Sequence, residues 1–132
     1  MTDSELLNLA KSAAENAYSP YSGYRVGAVL VCKNGEVYCG CNVENSSYSA
    51  TVCAERTAVL KAVSDGITDF SSIALIGLKD GIVQSNFTPC GVCLQVLSEF
   101  CGRDFKIIIG KNINEYETKT LGELMPYGFS IR

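Results

Sequence analysis

Three runs, RVGAVLVC (25–32), SIALIGL (72–78) and FKIIIG (105–110), are apolar almost without interruption, and they constrain the fold more than anything else in the chain. A half-exposed strand alternates apolar with polar residues, whereas a strand apolar on both faces needs cover on both. The segments between these runs supply that cover. Residues 2–17 hold Leu6, Leu9, Ala10, Ala13, Ala14 and Ala17 at helical spacing behind a Thr2/Glu5 capping box. YSPYSGY (18–24) ends that helix with Pro20 and Gly23. EVYCGCN (36–42) reads as a second strand, turned back on the first through Asn34-Gly35, a strong hairpin signal.

Helical periodicity returns over 53–64 through Ala54, Ala58, Val59 and Ala62 and stops near Asp65-Gly66. A further helix is entered at Pro89 and left at Gly102. A short strand is expected near 113–118, and a short helix around Thr120–Met125, ended by Pro126. The order α-β-β-α-β-α-β-(β)-α predicts an α/β fold: a three-layer α/β/α sandwich on a mixed sheet of about five strands, the first two antiparallel. The 132 residues are one domain's worth of chain, so 1–132 is read as a single domain.

No run approaches the roughly 18–20 apolar residues of a membrane span. The N-terminus lacks a positive stretch followed by an apolar block, so no secretory signal is expected. A net charge of −3 without a Lys/Arg cluster argues against nucleic-acid or membrane partners and for a small substrate. Seven cysteines in a chain with ample Val, Ile and Leu point to a reducing, cytoplasmic compartment, with thiols used for metal or packing. The chain has no histidine.

Cys90 and Cys93 have CxxC spacing at a helix start, where backbone N–H groups and the helix dipole stabilise thiolates. Cys53 opens the 53–64 helix in the same way. Two strand-to-helix junctions can therefore aim three thiolates at one point. Structural zinc is closed by four protein ligands, whereas catalytic zinc keeps a position for water. With three thiols in register and no histidine for a fourth, the pattern favours an open site holding one Zn²⁺ per chain. A redox pair is the competing reading of the CxxC, but thioredoxin-type motifs carry proline where this one has Gly-Val. Cys32, Cys39, Cys41 and Cys101 sit in apolar strands or at a helix end and read as packing. Cys39 and Cys41, on one strand face, would be the extra ligands of a structural site. Glu55, two residues after Cys53, does not share its helix face and so is not an obvious ligand; its side chain is long enough to reach a zinc-held water. Arg56, three after Cys53, does share the face. Three thiolates leave the ion a formal charge of −1, which a guanidinium bonding two sulfurs would offset.

CAE followed by PCxxC is the three-cysteine form of the zinc deaminase signature. Together with YSPYSGYRVGAVL, GCNVENSSY, CAERTAVLKAVSDG, PCGVCLQVLSEF and ELMPYGF, it makes the chain resemble the small homotetrameric cytidine deaminases of pyrimidine salvage from about Leu6 to Phe129. The resemblance implies a single catalytic domain that hydrolyses cytidine and 2′-deoxycytidine to the uracil nucleosides and ammonia. It implies Cys53, Cys90 and Cys93 on zinc, Glu55 as proton shuttle for a water attacking C4, and Asn42 and Glu44 on the ribose 3′-hydroxyl. Tyr24 stands where the family carries phenylalanine beside the pyrimidine, and Leu94 where it carries arginine. Phe129, and with it Tyr48, matches aromatics that complete a neighbouring subunit's site, so the expected partners are a nucleoside and three further copies of the chain. Two other readings remain open. A blasticidin-type aminonucleoside deaminase shares the zinc motifs but not the NVENSSY stretch, and a non-catalytic zinc-stabilised binding module would leave Glu55 without a task.

Overall fold

The computed structural model describes residues 1–112 and 114–131. Along the chain run α1 (Asp3–Ala14), β1 (Tyr24–Cys32), β2 (Val37–Cys41), a 3₁₀ turn (Tyr48–Ala50), α2 (Ala54–Ser64) and β3 (Phe70–Lys79). They are followed by β4 (Ile82–Val83), α3 (Gly91–Phe100), β5 (Lys106–Gly110), β6 (Tyr116–Thr120) and α4 (Leu121–Leu124). The six-stranded sheet has the order β2-β1-β3-β5-β6, with β4 paired to β3. Only β3 and β5 are parallel; the β1–β2, β1–β3, β3–β4 and β5–β6 pairs are antiparallel.

The apolar runs are buried for the reason that makes them apolar. Successive strand residues face opposite layers. Val29, Ala74, Ile76 and Ile108 pack against Leu6, Leu7, Ala10 and Ala14 of α1. Their neighbours Ala28, Leu30, Ile73, Leu75, Ile107 and Ile109 pack against Ala54, Ala58, Val59 and Ala62 of α2 and Leu94 and Leu97 of α3. The result is the three-layer α/β/α arrangement. Gly27 and Gly40 set how closely the layers approach: a Cβ at Gly27 would overlap the backbone of α1, and one at Gly40 the backbone of α2.

Thr2 and Glu5 cap α1 reciprocally, as the sequence predicts. The helix closes three residues earlier than its alanine pattern suggests. Asn16 and Ala17 leave through i→i+3 bonds, and Tyr18 bridges to Val43. The hairpin turns at Gly35 with φ +91°, and the Asn34 side chain accepts from the Glu36 amide. The sheet has six strands rather than about five, because Asp80-Gly81 turns β3 back into the two-residue β4. The strand expected near 113–118 lies at Tyr116–Thr120; Ile113 falls outside the described residues. Thr120 and Glu123 form a second capping box on α4, where a short helix was expected.

Candidate active site

Helices α2 and α3 lie on the same face of the sheet, and their N-termini meet. Cys53 is the N-cap of α2, Cys90 the N-cap of α3, and Cys93 stands in the first turn of α3. Cys90 Sγ accepts from the Cys93 amide at 3.4 Å, which fixes one thiol against its own helix end. Sγ of Cys53 is 3.7 Å from that of Cys90, and Cys90 Sγ is 3.3 Å from Cys93 Sγ. Among the described residues these are the one set of three metal-capable side chains whose ligand atoms all lie within 4.8 Å of one another. Cys93 is buried, Cys53 half-buried and Cys90 exposed, so the cluster opens to one side.

Zinc fits this donor set. Thiolates are soft ligands, and tetrahedral zinc at about 2.3 Å from each sulfur would set sulfurs about 3.8 Å apart, near the spacing found. Cys53 gives up its proton easily, its thiol brought down to about 5, chiefly because Cys93 donates to it. The same bond holds the Cys93 proton on and raises that thiol. Such a shared-proton cluster is what a metal ion displaces on binding.

Glu55 follows in the first turn of α2 and is 2% exposed. Its Oε1 is buried with no hydrogen-bond partner. Burial, first of all, pushes its carboxyl up to about 7. An orphaned buried carboxyl oxygen costs stability, so its place beside the thiols calls for a ligand. Arg56 Nη2 donates to Cys53 Sγ at 3.7 Å and to the Thr51 carbonyl at 3.1 Å, while its Nε is buried without a partner. Cys53 foremost, and Cys93 after it, hold the guanidinium firmly charged.

A cavity of about 200 Å³ opens beside the thiols, bounded by Tyr24, Val26, Asn42, Glu44, Glu55 and Phe87, with Cys53 and Cys90 at its edge. Asn42 is buried and clamps the start of β1: its Oδ1 accepts from the Val26 amide and its Nδ2 donates to the Tyr24 carbonyl, both at 2.9 Å. One N–H and one lone pair remain for a ligand. Glu44 Oε1 accepts from the amides of Tyr21 and Ser22 at 3.0 and 3.1 Å, and Oε2 from the Ser22 hydroxyl. These bonds, the hydroxyl's first, hold its carboxyl below the usual range. Tyr24 lines the cavity with Lys79 Nζ 4.8 Å above its ring.

Two expected residues stand apart. Tyr48 lies in a neighbouring hollow with Tyr21, Glu44 and Thr51, its ring edge-on to Tyr21. Phe129 is 68% exposed on the C-terminal segment, where its carbonyl accepts from Gln95 Nε2. Leu94 is a core residue. Cys32 is buried and Cys39 and Cys101 pack partly against the two cores, away from the thiol cluster. Phe87, Val26 and Thr88 line the cavity without having been singled out from the sequence. Only the adjacency of Phe87 and Thr88 to the PCGVC stretch pointed to them.

Three thiols able to hold zinc, with a carboxyl beside them that is not one of the three, are the mark of a zinc-dependent hydrolase. The relatives narrow that class. A family model described as the cytidine and deoxycytidylate deaminase zinc-binding region matches residues 1–110. The cytidine deaminase of Sporosarcina psychrophila is 44% identical over 126 residues, covering 96% of this chain and 90% of that protein. That of Halalkalibacterium halodurans is 42% identical, covering 95% and 92%. The 1.6 Å crystal structure of cytidine deaminase from Burkholderia pseudomallei superposes with a TM-score of 0.88 at 39% identity, covering 98% of this chain and all of that one. The chain belongs to the cytidine and deoxycytidylate deaminase family.

Proposed function

We propose that the chain is a zinc-dependent cytidine deaminase that hydrolyses cytidine and 2′-deoxycytidine to uridine and 2′-deoxyuridine with release of ammonia, as a salvage reaction. The observation that carries the reading is Glu55: a carboxyl buried at the mouth of three thiols, its Oε1 unpartnered and its pKa raised to about 7. A group poised near neutrality can both take and return a proton. Cys53, Cys90 and Cys93 would hold the ion, and zinc supplies Lewis acidity to the attacking water. Glu55 takes one proton of that water as it attacks C4 and passes it to N3 of the pyrimidine. Glu55 then takes the second from the hydroxyl left on C4 and passes it to the amine, which departs as ammonia while C4 becomes the carbonyl. Glu44, fixed by Tyr21 and Ser22, and Asn42, fixed by the β1 backbone, offer an acceptor and a donor to the ribose 3′-hydroxyl. A site built on such bonds rejects bases that lack the sugar. Arg56 offsets charge at Cys53.

The active form in this reading is a homotetramer whose sites are completed by Phe129 and Tyr48 of neighbouring copies. Support comes from the exposure of Tyr127, Phe129 and Ile131, at 98%, 68% and 90%. A nucleoside, rather than a polynucleotide, suits a chain of net charge −3. A cytoplasmic location suits seven free thiols. An ultraviolet assay on cytidine with ammonia measured in parallel, on protein analysed for zinc, tests the activity. Stoichiometric zinc without ammonia release from cytidine or deoxycytidine would refute it.

A further inference from the structure

The connection from β4 to α3 crosses β3 at Gly77. The Gln84 amide donates to the Gly77 carbonyl at 2.8 Å, and three residues later Phe87 lays its ring over the Gly77 Cα. A Cβ on Gly77 would stand 3.0 Å from both Cγ and Cδ2 of Phe87. Gly77 pairs with Val26 across the β1–β3 ladder, and Tyr24 pairs with Lys79 one step along the same sheet face. Tyr24, Val26 and Phe87 then line one cavity with Glu55 and the two N-cap thiols. The ring has its seat because residue 77 has no side chain.

We propose that Phe87, seated on Gly77, is the aromatic wall that fits the cavity to the pyrimidine, and that the two residues act as a pair in setting KM. This rests on the deaminase reading above. A flat heterocycle buried among apolar groups gains from an aromatic surface held at fixed distance, and Phe87 is pinned on one side by the sheet and open to the cavity on the other. A methyl at residue 77 must move the ring by a few tenths of an ångström. The sheet cannot yield, so the ring moves toward the substrate. Phe87 also lies three residues before Cys90, so a plain loop anchor is the rival role. That role would show in zinc content; a substrate wall shows in KM.

The test uses the full chain loaded with zinc and compares wild type, Gly77→Ala, Phe87→Leu and the double variant, with kcat and KM for cytidine, zinc per chain and thermal midpoint. Gly77→Ala should raise KM about tenfold, with zinc unchanged and kcat within a few-fold. Phe87→Leu alone should raise KM less. Adding it to Gly77→Ala should bring KM back down, because the smaller side chain relieves the overlap. If Gly77→Ala does not fold, Phe87→Leu and Phe87→Ala carry the test, with KM rising from the first to the second. Variants that keep wild-type KM with full zinc, or that lose zinc while loaded sites keep wild-type KM, overturn the proposal alone. A wild type that leaves cytidine untouched overturns the deaminase reading and this proposal with it.

Discussion

Replacing Arg56 with alanine removes the cation nearest the thiol cluster, and the structure sets the scale of the effect. Nη2 stands 3.7 Å from Cys53 Sγ, the sulfur most readily deprotonated. At an effective dielectric of about 20, a unit charge pair at that distance is worth about 4 kcal/mol. Taking Arg56 out of water offsets part of that, and the Thr51 carbonyl loses its donor as well. A net loss of about 1–3 kcal/mol is expected, matching the roughly 10–100-fold cost typical of residues that support metal ligands. Zinc affinity measured by chelator competition should therefore fall about 10–100-fold in Arg56→Ala, with turnover also lowered. Arg56→Gln should fall less, since it keeps a donor without the charge. The melting midpoint of the zinc-free variant serves as control, because a merely structural arginine would lower that midpoint and leave the affinity alone. Zinc affinity within twofold of wild type would refute the charge-compensation argument.

Glu55→Gln should fold and bind zinc yet lose about 10²–10⁴-fold in kcat, since the carboxyl moves protons and does not hold the ion; near-normal turnover removes it from the mechanism. Cys90→Ala should lose zinc while Cys32→Ala keeps it, and full zinc by elemental analysis of Cys90→Ala would sink the ligand assignment. Removal of residues 126–132 should damage both tetramer and turnover, and a fully active monomer in sedimentation would refute the shared site. Glu44, whose folded pKa is depressed by Ser22 and the neighbouring amides, contributes stability that is present above its unfolded value near 4.5 and lost as pH falls through the folded value. Thermal midpoints of Glu44→Gln should therefore fall less steeply than wild type below pH about 4.5, and parallel curves would show that those bonds carry no linkage.

What could be read in advance follows from the range over which each feature is encoded. The buried strands were legible because Leu30, Ile73, Leu75 and Ile107 to Ile109 carry their burial in their own composition. The thiol cluster was legible because each cysteine sits at a helix start marked by local signals: Pro89 before one helix, and the polar NSSYSAT stretch before the other. β4 escaped notice although Asp80-Gly81 is a good turn pair, because two residues are too few to show alternation. The end of α1 was overrun because Ala17 keeps the helical spacing while a bridge from Tyr18 to Val43, a contact 25 residues away in sequence, takes the chain elsewhere.

The walls of the cavity have no local signature at all. Asn42 reaches the β1 backbone, Phe87 rests on Gly77, and Gly77 faces Val26 only through the β1–β3 register. The raised pKa of Glu55 belongs with these. A glutamate in the first turn of a helix is ordinarily solvated and favoured by the dipole as the anion. Here the same position lies under the sheet and the α3 N-terminus, and burial outweighs the dipole. The ligands are therefore local features of two helix starts, while the acid beside them acquires its chemistry from the packing of the whole domain. Substitutions that loosen that packing at Ala58 or Ala62, neither of which lines the cavity, should lower the Glu55 pKa before they release the metal.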